Sequence, residues 1–204
     1  MKKLLIFDFD GVVVDSLAVY EKTVRECLEK IGHPLIKTRA DYLALFEDNF
    51  YVSLQKKGVD IEAFMAASVD ILAGVDYDQM KPFAGLTSVL ARLQAENILV
   101  IVSSSAEGDI RQAMARSEIA GCFQSVLGSD ADFSKKEKIL QAMDEFGMEP
   151  DNTYYIGDTT GDIKEARAVG VKTVAVTWGW HTREQLAAVK PDYLVDRPEQ
   201  LLQL

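Results

Sequence analysis

The sequence predicts a doubly wound α/β fold interrupted by an all-helical insertion. Six short apolar runs recur, at Leu4–Phe7, Ile98–Val102, Phe123–Leu127, Thr153–Ile156, Thr173–Thr177 and Tyr193–Val195. Most are continuous rather than alternating and rich in Val and Ile, the pattern of strands buried on both faces of a parallel sheet. Helical patterns separate them, and strands alternating with helices make a doubly wound fold. The exception is residues 17–80, which carry helical periodicity and no good strand candidate.

The first strand, Leu4–Phe7, runs directly into Asp8. Leu17, Tyr20, Val24, Leu28 and Ile31 then sit at spacings of three and four, closed by Gly32 and Pro34. Leu43, Phe46, Phe50 and Leu54 repeat the theme and end at Gly58, and Ile61, Phe64, Met65 and Leu72 give a third helix. Pro82 and Gly85 punctuate the return to alternating strands and helices. Leu86–Leu93 and Ser134–Phe146 read as helices of the main body. The second opens with Ser134-Lys135-Lys136-Glu137, a capping-box pattern, and ends at Gly147 and Pro150. A helix after Asp158 ends at Gly170, a natural left-handed terminator. The expected organisation is a core of residues 1–16 and 81–204 with a helical insert at 17–80. No internal repeat or low-complexity segment is present.

With 204 residues, 48% hydrophobic and 26% charged, the chain has material for one cored domain, or one domain with an insert. Against 22 Lys and Arg stand 32 Asp and Glu, a net charge of −10. That field repels nucleic acid and anionic membranes. It repels small phosphorylated molecules as well, so any anion site must be built locally, from a metal ion or backbone amides. No apolar run approaches the ~20 residues that span a bilayer. Met1-Lys2-Lys3 followed by Leu4–Phe7 begins like a signal peptide, but Asp8 and Asp10 interrupt it. Cys27 and Cys122 read as two small buried apolar residues. A cytoplasmic protein, monomeric or weakly dimeric, is expected.

The chemistry concentrates at strand ends, where open α/β sheets bind ligands. Asp8-Phe9-Asp10-Gly11 follows the first strand, with Gly11 free to turn. Two acids at one site either bind a divalent cation or keep one proton between them. Gly157-Asp158-Thr159-Thr160-Gly161-Asp162 follows another strand and opens a helix, so Asp158 and Asp162 can converge on the same cation. Carboxylate oxygens and water suit Mg²⁺. Each pair taken alone reads equally well as capping or a solvated turn; two pairs at two ends of one sheet do not. Ser103-Ser104-Ser105 ends a third strand, and hydroxyls and amides at such a turn can cradle phosphate. Lys135 and Lys136 open a helix, where the dipole disfavours cations, so either can be aimed at an anion or simply be solvated.

Asp8-Phe9-Asp10-Gly11-Val12 with Asp15-Ser16, then Ser103, a lysine, and Gly157-Asp158 with Asp162, resembles the ordered four-motif signature of the haloacid dehalogenase superfamily. The resemblance covers nearly the whole chain. It implies a Rossmann-like core with a helical cap of the C1 type, closed by Pro82-Phe83-Ala84-Gly85, in the phosphoglycolate phosphatase-like branch. It also implies a Mg²⁺-dependent phosphatase acting on a small phosphorylated metabolite. Asp8 would attack phosphorus and Asp10 would serve as acid, then base. Ser103 and Lys135 would hold the phosphate, with Gly11, Ser104 and Lys136 as further substrate contacts. Asp8, Asp10 through its carbonyl, Asp158 and Asp162 would form the metal site. Many relatives carry Lys-Pro-x-Pro at the third motif; Ser134-Lys135-Lys136-Glu137 departs from it. Lys135 is therefore the choice, Lys136 the alternate and Lys138 the poorest candidate. Asp10 argues against true dehalogenases and phosphonate-cleaving members, which lack that acid.

The remaining signals are weaker. Trp178-Gly179-Trp180-His181 reads mainly as exposed aromatics packed on the preceding turn, although it could flank the site's mouth. His33 and His181 lie near no nucleophile elbow, which argues against a catalytic triad and a histidine zinc site. Glu47-Asp48-Asn49-Phe50 interrupts the second cap helix; Asn49 and Arg39 are the candidates for reading the leaving group. The alternatives are a sugar-phosphate mutase, a pyrophosphatase or nucleotidase of the same superfamily, and a binding protein without turnover.

Overall fold

A computed structural model describes residues 2–115 and 117–204. In chain order the elements begin with β1 (Leu4–Phe7), β2 (Val14–Asp15), α1 (Leu17–Lys30), α2 (Arg39–Leu43), α3 (Phe50–Lys56) and α4 (Ile61–Leu72). They continue with β3 (Lys81–Pro82), α5 (Leu86–Leu93), β4 (Ile98–Val102), α6 (Glu107–Met114), β5 (Ser125–Leu127) and α7 (Lys135–Phe146). The last are β6 (Thr153–Gly157), α8 (Thr160–Val169), β7 (Lys172–Val176), α9 (Arg183–Ala188) and β8 (Tyr193–Val195).

Six strands form one parallel sheet in the order β5-β4-β1-β6-β7-β8. The expected α/β class is therefore observed, with every large strand where an apolar run stood. β1 lies at the centre with all four residues buried, and its carboxyl end projects Asp8 and Asp10 between the ends of β4 and β6. Helices cover both faces, which is why these strands carry no polar alternation. No helix among the described residues is long and apolar enough to cross a membrane. Both cysteines are buried thiols, as expected.

Two local readings need correction, and one short ribbon adds to them. The second helical pattern, Leu43 to Leu54, is not one helix. A 3₁₀ turn at Ala44–Phe46 ends α2, and the Asn49 side chain accepts from the Val52 amide to start α3. Ser134 caps only one way: its Oγ accepts from the Glu137 amide, while its own amide donates to Asp132 instead of Glu137. Finally, the helical segment is bracketed by a two-residue antiparallel ribbon, Val14 opposite Pro82 and Asp15 opposite Lys81. Two-residue strands carry no readable periodicity.

Candidate active site

Each reactive side chain follows from the end of a buried element. β1 delivers Asp8 and Asp10, β4 delivers Ser103, β6 delivers Asp158, and the first residue of α7 delivers Lys135. All five are buried. Lys135 Nζ donates to Asp8 Oδ2 at 2.6 Å and to Asp162 Oδ1 at 2.5 Å. Asp10 sits among hydroxyls: Ser16 donates to Oδ1 at 2.7 Å, and Ser105 at 2.7 Å and Ser103 at 3.4 Å donate to Oδ2. The Asp162 Oδ2 atom accepts from the Thr159 amide and hydroxyl in a capping box, which fixes it at the start of α8.

Oxygens of Asp8, Asp158 and Asp162 all lie within 4.8 Å of one another. Asp158 Oδ2 accepts from the Trp180 amide at 2.6 Å, but Oδ1 is buried with no partner among the described residues. Burial and the charges of Asp162 and Asp8 push the Asp158 carboxyl well above its ordinary range. Burial also raises Asp8, to about 7, against the pull of Lys135. Burial would raise Asp162 too, yet Lys135 and the Thr159 bonds leave it below the usual value. Three converging carboxylates, one with an orphaned buried oxygen, are the hard all-oxygen donor set that suits Mg²⁺.

Gly11 has a φ of +78°, and a Cβ there would stand 2.1 Å from Asp158 Oδ2. The chain can pass between the two acid pairs only because this residue has no side chain. Ser104 lines the cavity, and its carbonyl accepts from the Tyr51 hydroxyl of α3 at 2.8 Å.

The three other sequence candidates lie elsewhere. Lys136 is exposed beside Glu137, because it points away from the face of α7 that carries Lys135. Arg39 pairs with Glu21 on the surface of the helical segment at 2.8 Å. The Asn49 amide group donates to the Phe133 carbonyl and to Glu165, tying the helical segment to the main body outside the cavity. Glu47 and Asp48 likewise dock on Lys164 of α8.

Sequence reasoning missed several residues. Ser105 and Ser16 hold Asp10, and both stood within quoted motifs. Lys138, the poorest candidate, is fully buried and donates to the Ser103 carbonyl at 2.5 Å and to that of Gly128 at 3.3 Å. Burial and neighbouring Lys135 depress it to about 8. Trp180 is buried in the cavity wall rather than exposed. His181 is buried too, accepting from the Thr160 amide at 3.1 Å and meeting the Leu43 carbonyl at 3.2 Å.

Comparison with known proteins places the fold in a family. A family model described as haloacid dehalogenase-like hydrolase matches residues 5–176. A phosphoglycolate phosphatase from Synechococcus elongatus is 31% identical over 202 residues, covering 98% of this chain and 95% of that protein. Another, from Aquifex aeolicus, is 23% identical and covers 99% and 96%. The solved structure of a haloacid dehalogenase-like family hydrolase from Streptococcus pneumoniae superposes with a TM-score of 0.81 at 22% identity, covering 99% and 97%. The chain belongs to the haloacid dehalogenase-like hydrolase family.

Proposed function

We propose that this chain is a Mg²⁺-dependent phosphatase that hydrolyses small soluble phosphomonoesters in two displacements. The observation that carries the reading is the meeting of Asp8, Asp10, Ser103 and Lys135 at one cavity of about 400 Å³, with carboxylate oxygens of Asp158 and Asp162 within 4.8 Å of one on Asp8. Residues 1–16 and 81–204 would form the catalytic core and residues 17–80 the cap that closes over it. Asp8 and Asp158, supported by Asp162 and the Asp10 carbonyl, would hold the ion. When bound, Mg²⁺ supplies positive charge against the repulsion between a carboxylate nucleophile and an anionic phosphate.

The chain's own groups account for the rest. A carboxylate oxygen of Asp8 forms a bond to phosphorus as the bond to the leaving oxygen breaks. Lys135 opposes the burial that raises Asp8, favouring its ionised form, and offsets charge on the transferring phosphoryl group. Burial raises the Asp10 carboxyl, so it can carry a proton to the leaving oxygen. Once ionised, Asp10 takes a proton from water as the water oxygen attacks phosphorus, releasing phosphate and restoring Asp8. Its three hydroxyl partners hold it in place through both steps. The helical segment excludes bulk water in between.

The test is phosphate release from a panel of phosphomonoesters with and without Mg²⁺, with Asp8→Asn as the control. Mg²⁺-dependent release is expected from the parent chain. Asp8→Asn should lose at least about a thousandfold with its circular dichroism unchanged. Turnover retained by that variant would remove Asp8 from the role of nucleophile.

A further inference from the structure

The cavity beyond the reacting atoms has a chemical character of its own. Its far wall is built by α1 and α4, through Val24, Cys27, Phe64, Met65 and Leu72. An aromatic side wall adds Tyr42, Phe46 and Trp180, with ring centroids 5.6 Å apart for Tyr42–Trp180 and 4.8 Å for Phe46–Trp180. These contacts pack the helical segment against the loop after β7, so the wall is already assembled.

Among the described residues lining this space, Lys135 is the one cationic side chain, and it is committed to Asp8 and Asp162. The wall instead carries a further negative group, half-buried Asp109, whose carboxylate accepts from the Tyr77 hydroxyl. Arg39, the sequence's candidate for reading a charged leaving group, is paired on the outer surface. The polar groups that this wall adds are neutral: the Tyr20 hydroxyl beside Ser105 and the Trp180 indole N–H are buried and complete no well-formed hydrogen bond, and Gln112 contributes a single amide.

We infer that the preferred substrates are phosphomonoesters of uncharged, largely apolar or aromatic alcohols, rather than esters whose leaving group carries a carboxylate or a second phosphate. The inference rests on the phosphatase reading above. A carboxylate moved from water to this wall would lose its hydration and meet aromatic carbon and Asp109, with no cation or amide cluster to replace the water. An apolar leaving group gains from the same transfer, and one hydroxyl or carbonyl on it finds the Tyr20 hydroxyl. A dinucleotide-sized group does not fit a space of this volume, whereas a benzyl or hexyl group does.

The test measures kcat/KM with Mg²⁺ for benzyl phosphate, hexyl phosphate, 4-carboxybenzyl phosphate, phosphoglycolate and phosphocholine. Benzyl or hexyl phosphate is expected to exceed both carboxylated esters at least tenfold. Val69→Arg places a cation on the rim at an already exposed position, and should raise 4-carboxybenzyl phosphate relative to benzyl phosphate severalfold. Phosphoglycolate or phosphocholine leading the panel would overturn the inference and leave the phosphatase reading intact. Turnover of none of the five would overturn both.

Discussion

Replacing Asp158 by Asn should make the metal-free protein more stable. Asp158, Asp8 and Asp162 bring carboxylate oxygens within 4.8 Å of one another, and a pair at that distance repels by about 3.5 kcal/mol at an effective dielectric constant of ~20. Lys135 makes ion pairs with Asp8 and Asp162, so Asp158 is the acid left with the least compensation. Asn retains an oxygen for the Trp180 amide, at a cost of about 1 kcal/mol for exchanging a charged acceptor for a neutral one. Where Asp158 is ionised the net gain is about 2.5 kcal/mol, or roughly 5–10 °C in Tm for a chain of this size. The gain should also depend on pH. Asp158 has a raised folded pKa, so the native parent binds a proton that the unfolded chain releases, and loses stability as pH rises. The asparagine variant lacks that loss, and its advantage should widen from pH 5.5 to pH 8. Mg²⁺ reverses the order: at a thousand times its Kd it adds about 4.1 kcal/mol to the parent, most of which the variant forgoes. Scanning fluorimetry of both proteins in EDTA and in a Mg²⁺ series measures every term. A lower Tm for the variant in EDTA, or an equal Mg²⁺ response, would refute the account of the cluster.

Three further outcomes are expected. Asp10→Asn should slow turnover by roughly 10²–10⁴-fold and let phosphoenzyme accumulate, visible as acid-stable label on the protein; a normal rate would remove Asp10 as the acid and base. Burial lowers the folded pKa of His181, so its contribution to stability is complete above the unfolded value of about 6.5 and drains as pH falls below it. The Tm of the parent minus that of His181→Gln should therefore shrink from pH 7.5 to pH 5, and a constant difference would show that folding leaves the imidazole's proton affinity unchanged. At Gly161 an added Cβ would stand 2.4 Å from the Asp48 carbonyl oxygen and 2.8 Å from that of Phe46. Gly161→Ala should lift that segment off α8, costing about 1–3 kcal/mol and exposing residues 46–48 to limited proteolysis.

What could be read in the sequence follows from where each signal is stored. The six sheet strands are visible because burial on both faces makes them continuous apolar runs. Asp8, Asp10, Ser103 and Asp158 are visible because a parallel sheet sets their common direction at its carboxyl edge. The lysines were harder, since helical phase decides them. Residues 135 and 138 are three apart and share a face of α7, whereas 136 is turned about 100° away. That one rotation buries Lys135 and Lys138 and leaves Lys136 in solvent. Arg39, Asn49 and Trp180 depended on how the helical segment docks, a relation no local pattern contains. The short helices α6 and α9 offer too few apolar positions to register a period.

Under the proposed function, the two buried lysines would also let an acidic chain handle an anion. Four carboxylates, Asp8, Asp10, Asp158 and Asp162, face two ammonium groups, Lys135 and Lys138, in the buried centre. Fully ionised, that centre carries a charge of −2, which one divalent cation balances. A phosphate dianion entering the balanced site restores the excess, and protonation of one carboxylate then lowers the total charge at least cost. Two acids lie outside the Lys135 pairs: Asp158, which the cation would hold, and Asp10, which hydroxyls hold. Under the proposed mechanism, substrate entry would favour the proton on Asp10, the form that reading needs to protonate the leaving oxygen. Lys138 would support the same arrangement: it is fully buried and donates to the carbonyl of Ser103, whose hydroxyl reaches Asp10.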